Sequence, residues 1–205
     1  RVKEAFKLWD ERVGNYDNYL GDLTGTYVDA IKGLPTKYND FVADKVVELK
    51  GNKVYAYTRK MIKWHKEQGH LVIFISGSPD FLVSRMAKKW GADDFCGSTY
   101  HTDEKGALTG EISPMWDSKN KLKSINKFCE KYTIDLEKSY AYGDTHGDIT
   151  MLELVGNPKA INPSLELINT IKNDENLKAK TEIIIERKDV IYSVNADVKI
   201  LNPNF

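Results

Sequence analysis

The sequence predicts an α/β protein, in which a parallel β-sheet with helices on both faces follows a smaller helical region. Two observations predict this class. From residue 70 onward, short apolar runs alternate with amphipathic segments, which is typical of parallel strands joined by crossover helices. Residues 1–66 instead repeat apolar side chains at helical spacing and contain no strand-like run. We therefore expect a helical unit over residues 1–66 and a sheet-containing core over residues 67–205.

The first elements along the chain are helices with one clear break. Residues 33–36 (Gly-Leu-Pro-Thr) interrupt the helical pattern, and Thr36 is the expected N-cap of the next helix. Residues 54–68 are expected to form a further helix, which Gly69 ends. The continuous apolar run over residues 71–75 then predicts a strand that is buried on both faces.

The later elements follow in alternation. An amphipathic helix is expected from Phe81 to about Trp90, followed by short strands over residues 95–116 with a turn at residues 103–106. Beyond these, the pattern predicts a helix beginning at Asp117 or Ser118, a strand over 139–142, a helix over 148–155, a strand over 159–161, a helix ending near Lys172, and a last strand over 182–185.

Composition excludes several classes of function. The 205 residues carry 30 Lys plus Arg and 30 Asp plus Glu, so neither nucleic acid nor an anionic membrane is an expected partner. No apolar run approaches the roughly 18 residues that span a bilayer. The only cysteines, Cys96 and Cys129, indicate a reducing, cytoplasmic compartment, with buried thiols favoured over a disulfide. Residues 1–5 lack signal-peptide character and an initiator Met, so the chain is expected to begin inside a longer protein.

Ser76, Gly77 and Ser78 directly follow the first predicted strand, at the edge where open α/β sheets bind ligands. A hydroxyl and free backbone N–H groups at the start of a helix form an anion site, and Gly77 lets the backbone approach the anion closely. This segment is therefore a candidate phosphate-binding site. The alternative is a simple strand-to-helix turn in which a serine caps the helix.

Residues 143–148 (Gly-Asp-Thr-His-Gly-Asp) follow a second predicted strand. The carboxylates of Asp144 and Asp148, four residues apart on a turn, can both face the ends of the strands. Hard oxygen ligands of this kind suit Mg²⁺, which takes one or two carboxylates together with phosphate and water. The alternatives are a Gly-Asp turn in which Asp148 caps the next helix and, for His146, an exposed loop position without a metal or acid–base role.

Three lysines, Lys119, Lys121 and Lys123, lie near the start of the helix that begins at Asp117 or Ser118. A lysine at a helix N-terminus opposes the helix dipole unless an anion compensates it. The alternative is a solvated basic face, so these lysines indicate a site only in combination with the other two motifs.

Together the three motifs resemble those of the haloacid-dehalogenase-like (HAD) hydrolases, most closely the phosphoserine-phosphatase-like branch with its helical cap and Rossmann-like core. Residues 75–78 resemble the family's second motif and residues 143–148 its fourth, while Lys121, 23 residues before Asp144, matches the lysine of the third. The resemblance implies a Mg²⁺-dependent phosphatase that acts on a small phosphorylated metabolite through an aspartyl-phosphate. Residues 1–66 would then be part of the cap.

The resemblance also implies a role for each site residue. Residues 76–78 would bind the phosphoryl group. Lys121 would contribute to substrate binding and catalysis by neutralising charge on the nucleophile and the phosphate. Asp144 would ligate Mg²⁺, and Asp148 would act in catalysis and at the metal site by supporting a metal-bound water or Lys121.

The family's first motif, an Asp-x-Asp segment whose first Asp is the nucleophile, is not found in the sequence. The nearest string, residues 22–26 (Asp-Leu-Thr-Gly-Thr), resembles the motif of P-type ion pumps, but no apolar strand precedes it, so Asp22 is not the expected nucleophile. We expect the first strand, its two aspartates and part of the cap to lie upstream of Arg1. In the family this strand lies mid-sheet, beside the strand that ends here at Tyr142, and without it two strands would expose unpaired backbone groups.

Three positions depart from the phosphoserine phosphatases that the chain resembles. Tyr27 stands where they have a cap arginine for the substrate carboxylate, Gly147 where they tend to have asparagine, and Ser78 where they have glycine. No arginine occurs between Arg12 and Arg59. We therefore expect a small phosphomonoester other than phosphoserine as the substrate. Two alternatives stay open, namely a pseudo-phosphatase that binds phosphate without turnover, and phosphoryl transfer to an acceptor other than water.

Overall fold

The first third of the described chain is built from helices. The computed structural model describes residues 2–11 and 16–201. Its first four helices are α1 (Val2–Asp10), α2 (Tyr16–Ile31), α3 (Thr36–Lys50) and α4 (Ala56–Glu67). The predicted helical region is confirmed over these residues. The expected N-cap Thr36 is wrong, because Pro35, with extended dihedral angles (φ −59°, ψ 137°), occupies the N-cap position and Thr36 is the first residue of α3.

Seven strands in the described residues form two sheets. The strands are β1 (Ile73–Pro79), β2 (Asp94–Thr102), β3 (Leu108–Ser113), β4 (Tyr140–Gly143), β5 (Asn157–Ile161), β6 (Glu182–Arg187) and β7 (Val190–Val194). One sheet has the order β1-β2-β3 and the other β4-β5-β6-β7. The pairs β1/β2, β4/β5 and β5/β6 are parallel, whereas β2/β3 and β6/β7 are antiparallel hairpins. The sheets are therefore mixed rather than wholly parallel.

The division between the two sheets falls between β1 and β4. In the part of the chain that the structure describes, β1 pairs only with β2 and β4 pairs only with β5. Each strand thus has one edge without a partner strand. Residues 73–75 of the predicted run over 71–75 belong to β1, but residues 71 and 72 precede the strand, and residues 73–75 are half-buried rather than buried on both faces. A further strand between β1 and β4 stays a prediction.

Helices cover both sides of the sheets and confirm the α/β class. The later helices are α5 (Asp80–Trp90), α6 (Ser118–Tyr132), α7 (Ile149–Leu154), α8 (Leu165–Asn173) and α9 (Glu175–Lys180). The main core cluster lies between β4–β6 and the helices α7–α9, with Leu152, Leu167 and Ile171 fully buried. Burial of such apolar side chains is the dominant favourable term in folding.

Three contacts tie the helical region to the sheets. The tip of the β2–β3 hairpin reaches the loop after α2, where Gly33 N donates to Leu108 O at 2.7 Å. α4 packs on β4, where His65 Nε2 lies 2.8 Å from the hydroxyl of Tyr142. The carboxylate of Glu186 in β6 also accepts from the first two N–H groups of α4. α4 therefore covers a sheet, and the boundary at residue 66 between cap and core stays a prediction.

Three element predictions are corrected. The last strand is β7 rather than β6, and its Val190, Ile191 and Tyr192 are exposed at the sheet edge, so no buried apolar run marks it. β1 extends through the predicted turn to Pro79, and α9 was not predicted. Among the described residues, no helix combines the length and apolar character needed to cross a membrane. Cys96 and Cys129 are free thiols and half-buried.

Candidate active site

Ser76, Gly77 and Ser78 lie at the carboxyl end of β1 and are called the phosphate loop below. The pairing register between β1 and β2 shifts in this segment, so its backbone departs from the regular ladder. Ser78 N donates to the hydroxyl oxygen of Ser76 at 3.1 Å, which leaves the hydroxyl proton of Ser76 available to another acceptor. The hydroxyl of Ser98 in β2 donates to Gly77 O at 2.8 Å and holds the loop in place.

Lys121 and Asp148 form a buried ion pair. Lys121 Nζ lies 2.5 Å from Asp148 Oδ1, and the two side chains are only 7% and 8% exposed. Lys121 lies in the first turn of α6, whose N-cap Asp117 accepts from a backbone N–H of that turn. Lys119 and Lys123 on the same helix are exposed. Lys119 and Lys123 therefore form the solvated basic face that was the alternative for these lysines, whereas Lys121 points into the protein.

The second carboxylate oxygen of Asp148 organises the acidic turn. Asp148 Oδ2 accepts from the backbone N–H groups of Asp144 and Thr145, both at 3.1 Å. Asp148 stands at the N-cap position of α7 but makes no side-chain cap bond to that helix. Both of its oxygens are thus engaged, one by Lys121 and the other by the turn. Asp148 holds these two parts of the site in fixed relation.

Trp116 connects the three predicted motifs. A Cβ added to Gly77 would lie 3.1 Å from Trp116 Cβ, and a Cβ added to Gly147 would lie 2.4 Å from Trp116 O. The segment that leads into α6 and Lys121 therefore lies between the phosphate loop and the acidic turn. Sequence reasoning missed Trp116. The signal that could have found it is the pair of glycines, because close backbone approach requires a residue without a Cβ.

Asp144 is the carboxylate of the acidic turn that opens to solvent. Partial desolvation of the carboxylate raises its pKa, and the negative charge of Asp148 raises it further. The ammonium of Lys121 acts in the opposite direction and offsets part of the rise. This position therefore carries more negative than positive charge, and a cation would stabilise the ionised form of Asp144.

The carboxylates of the acidic turn fit a hard divalent cation for which the protein supplies only some of the ligands. Over residues 2–11 and 16–201, no group of three or more His, Cys, Asp or Glu side chains is arranged to hold a metal ion. Mg²⁺ does not need such a group when phosphate and water complete its coordination. Because both oxygens of Asp148 are engaged, Asp144 is the better placed of the two predicted metal ligands.

The structure places Asp22 in a helix and His146 at the protein surface. Asp22 lies within α2, where the Thr26 hydroxyl donates to Asp22 O at 2.9 Å, so this string is helical and does not follow a strand. His146 is exposed, and its Nδ1 faces α8, 3.9 Å from Glu166 Oε1. Asp22 thus does not follow a strand, and His146 is exposed, while the roles of the site residues stay predictions.

Comparison with known protein families identifies the family of this chain. The family of haloacid dehalogenase-like hydrolases matches residues 19–153, more than half of the chain, and the match includes Ser76, Lys121 and Asp148. This chain belongs to the HAD family.

Curated relatives of this HAD protein extend beyond the matched region. The inhibition of morphological differentiation protein of Streptomyces azureus is 29% identical over 128 residues, which are 62% of this chain and 46% of that protein. Phosphoserine phosphatase SerB1 of Mycobacterium tuberculosis is 28% identical over 131 residues, which are 63% of this chain and 40% of that protein. The chain thus spans less than half the length of these two relatives.

A solved structure supports the same branch of the family. A phosphoserine phosphatase, described as a phospho-aspartyl intermediate analogue, is similar with a TM-score of 0.55 and 26% identity. The similarity covers 92% of this chain and 80% of that one. The Rossmann-like HAD fold and the resemblance to phosphoserine phosphatases are therefore confirmed.

Proposed function

We propose that this HAD chain forms part of a Mg²⁺-dependent phosphatase for a small phosphomonoester. The observation that carries the proposal is the buried Lys121–Asp148 pair next to the acidic turn and the phosphate loop. Burying an ion pair costs desolvation energy and is weak evidence for a stabilising role. An ammonium held in this position instead suits the charge that accumulates on a transferring phosphoryl group.

The phosphate loop binds the phosphoryl oxygens in this proposal. The hydroxyl proton of Ser76 and the N–H group of Gly77 are the donors, close to the start of α5 where the helix dipole favours an anion, while Ser78 N orients the Ser76 hydroxyl by donating to its oxygen. Ser98 fixes the loop through Gly77 O, so these donors are positioned before the substrate arrives. Such preorganised donors avoid reorganisation during the reaction.

Lys121 is the catalytic residue that this chain contributes, and Asp148 is a positioning residue. The contact of 2.5 Å with Asp148 Oδ1 holds the ammonium of Lys121 at the floor of the site. Its remaining N–H groups donate to the phosphoryl oxygens and to the nucleophile. Asp148 also holds Asp144 through the backbone of the turn, so one carboxylate positions both the cation and the metal ligand.

Asp144 is the metal ligand of the proposal. Mg²⁺ bound there would supply positive charge for the phosphoryl oxygens and help to orient the substrate. Its other ligands would be phosphate, water and a carboxylate from outside this chain. The raised pKa of Asp144 fits a group whose ionised form needs a nearby cation.

The nucleophile in this proposal is a carboxylate on a strand that adds between β1 and β4. Each of these strands has a free edge in the described residues, and their carboxyl ends carry the phosphate loop and the acidic turn. A carboxylate oxygen attacks phosphorus, the ester P–O bond breaks, and the leaving alkoxide takes a proton from the second aspartate of the Asp-x-Asp segment, which later takes a proton back from the attacking water. Water then attacks the acyl phosphate, so inorganic phosphate and the free carboxylate form.

The substrate class is a small phosphorylated metabolite other than phosphoserine. The position at which the resemblance expects a carboxylate-binding arginine is Tyr27, whose hydroxyl donates to Asn39 Oδ1 at 2.7 Å. A neutral phenol cannot form the bidentate pair that an arginine forms with a carboxylate. The two free thiols suit a reducing, cytoplasmic compartment for this metabolite.

The test is hydrolysis of p-nitrophenyl phosphate by the full-length protein, including residues upstream of Arg1, with and without Mg²⁺. We expect Mg²⁺-dependent release of phosphate and a loss of at least about a hundredfold in kcat for Lys121→Met and for Asp144→Asn. Lys123→Met, an exposed lysine on the same helix, is the matched control and should retain the wild-type kcat.

The alternatives give different results in the same experiment. A pseudo-phosphatase binds phosphate but releases none from any phosphomonoester. A phosphotransferase releases little phosphate to water and far more product when an acceptor alcohol is present. Equal activity of wild type, Lys121→Met and Asp144→Asn would contradict the proposed site.

A further inference from the structure

An aromatic cluster, defined by Tyr27, Asn39, Asp80, Phe81 and Tyr100, joins the helical region to the start of α5. The ring of Tyr100 lies 6.0 Å from that of Tyr27 and 5.5 Å from that of Phe81, in edge-to-face arrangements in both cases. The hydroxyl of Tyr27 donates to Oδ1 of the buried Asn39. Asp80 is the first residue of α5 and directly precedes Phe81, whose ring contacts Tyr100.

β2 connects the aromatic cluster to the phosphate loop. Ser98 in β2 donates to Gly77 O, and Tyr100 follows two residues later on the same face, about 7 Å along the strand. A Cβ added to Gly97 would lie 2.7 Å from Asp80 Cα, so β2 packs tightly against the start of α5. The cluster is therefore within the length of a small molecule whose phosphate occupies the phosphate loop.

The charges of Arg85, Asp40, Asp44 and Asp80 are negative in sum. Arg85, one turn along α5, donates to Asp40 Oδ1 at 3.0 Å and to Asp44 Oδ1 at 2.5 Å, so two carboxylates already neutralise this cation. Asp80 adds a further carboxylate. Desolvation raises the pKa of Tyr100 to about 12, so its phenol stays neutral at physiological pH. A substrate carboxylate in this place would meet negative charge.

Aromatic rings beside a carboxylate attract an ammonium group, both through the ring quadrupole and through direct charge attraction. We propose that the aromatic cluster binds a cationic amine at the end of the substrate opposite the phosphate. The substrate class is then the phosphate esters of amino alcohols without a carboxylate. This inference rests on the proposed function for the binding of the substrate's phosphate. It adds the recognition of the amine at the opposite end of the substrate.

Three two-carbon probes that differ only in the group opposite the phosphate test this inference. O-Phosphoethanolamine carries an ammonium, 2-hydroxyethyl phosphate a hydroxyl, and phosphoglycolate a carboxylate. In titration calorimetry of the full-length protein without Mg²⁺, so that no probe is hydrolysed, we expect a Kd about tenfold lower for O-phosphoethanolamine than for 2-hydroxyethyl phosphate, and the weakest binding for phosphoglycolate. Equal binding of the three, tighter binding of phosphoglycolate, or no binding of any probe overturns the inference.

Asp80→Asn identifies the source of the preference. The asparagine keeps an acceptor for Phe81 N, which donates to Asp80 Oδ1 at 2.8 Å, and removes only the charge. This variant should lose most of the tenfold preference and bind 2-hydroxyethyl phosphate like wild type, whereas the control Asp189→Asn, exposed in the turn between β6 and β7, should keep the preference. Full preference in Asp80→Asn contradicts the assignment. Parallel hydrolysis assays with p-nitrophenyl phosphate test the proposed function separately. If the protein prefers O-phosphoethanolamine in binding but hydrolyses no phosphomonoester, the proposed phosphatase activity is contradicted and the amine-binding cluster is not.

Discussion

Replacing Lys121 by Met removes the ammonium from the buried pair and leaves a methionine of similar length in its place. Removing one partner of a buried ion pair generally costs about 3–5 kcal/mol, because the other charge stays buried without compensation. In Lys121→Met, the remaining carboxylate of Asp148 keeps three donors, namely two backbone N–H groups of the turn and the Thr145 hydroxyl. We therefore expect a cost near the lower limit, about 3 kcal/mol.

The opposite replacement, Asp148→Leu, should cost more. It leaves the ammonium of Lys121 buried without its carboxylate and also leaves the donors of the turn without an acceptor. We expect about 5 kcal/mol for this variant. The double variant Lys121→Met/Asp148→Leu contains no buried charge at this position, so it should cost less than the sum of the single variants by about 2 kcal/mol or more.

Equilibrium unfolding in urea measures these differences. For a chain of this length, each kcal/mol corresponds to a change in Tm of about 2–4 °C, so Lys121→Met should melt about 6–12 °C below wild type. The control Lys123→Met should stay within about 0.5 kcal/mol of wild type, since that side chain is exposed. Costs below about 1 kcal/mol for the single variants, or a double variant whose cost equals the sum of the two, would contradict a coupled, buried ion pair at this position.

Three further predictions concern the fold. Gly156→Ala should destabilise the protein by about 2–3 kcal/mol in urea unfolding, because the added Cβ would meet Glu137 O. Gly25→Ala should instead stabilise it by about 0.5–1 kcal/mol, because Gly25 lies in a helix with open space around it. Similar effects of the two substitutions would contradict this prediction. Burial lowers the pKa of His65 below its unfolded value of 6.5, so stability is full above that pH and declines as the pH falls below it. His65→Gln should flatten the decline between about pH 7 and about pH 5, and an unchanged slope would assign it to other groups. Glu186→Gln should cost about 1 kcal/mol, since it weakens the acceptor for the first N–H groups of α4, and an unchanged melting temperature would argue against this cap.

Sequence reasoning found the elements that carry strong local signals. The apolar run in β1, the helix after Asp117 and the turn at residues 103–106 follow from periodicity and turn chemistry, and the structure has all three. β7 was missed because the two-residue turn before it lacks the usual Gly or Asn signals, and Lys188 adopts the positive φ (51°) instead. Edge strands with exposed apolar residues give no burial pattern to detect.

For the site, the motifs identify candidate residues but not their contacts. Ser76, Lys121 and Asp148 were selected from the sequence, and the structure brings their segments together around Trp116. That both oxygens of Asp148 are engaged depends on tertiary geometry, which no spacing reveals. The aromatic cluster is likewise formed by residues distant along the chain, so periodicity carries no trace of it.

The central claim is phosphoryl transfer to a carboxylate held between β1 and β4, and trapping of the phosphoenzyme tests it most directly. The full-length protein is mixed with Mg²⁺ and a phosphomonoester, quenched in acid within one turnover, digested and analysed by mass spectrometry. We expect a phosphoryl adduct that hydroxylamine removes, on an aspartate of the proposed strand between β1 and β4. Rapid hydrolysis without any such adduct, or an adduct on a serine or histidine, would contradict the account.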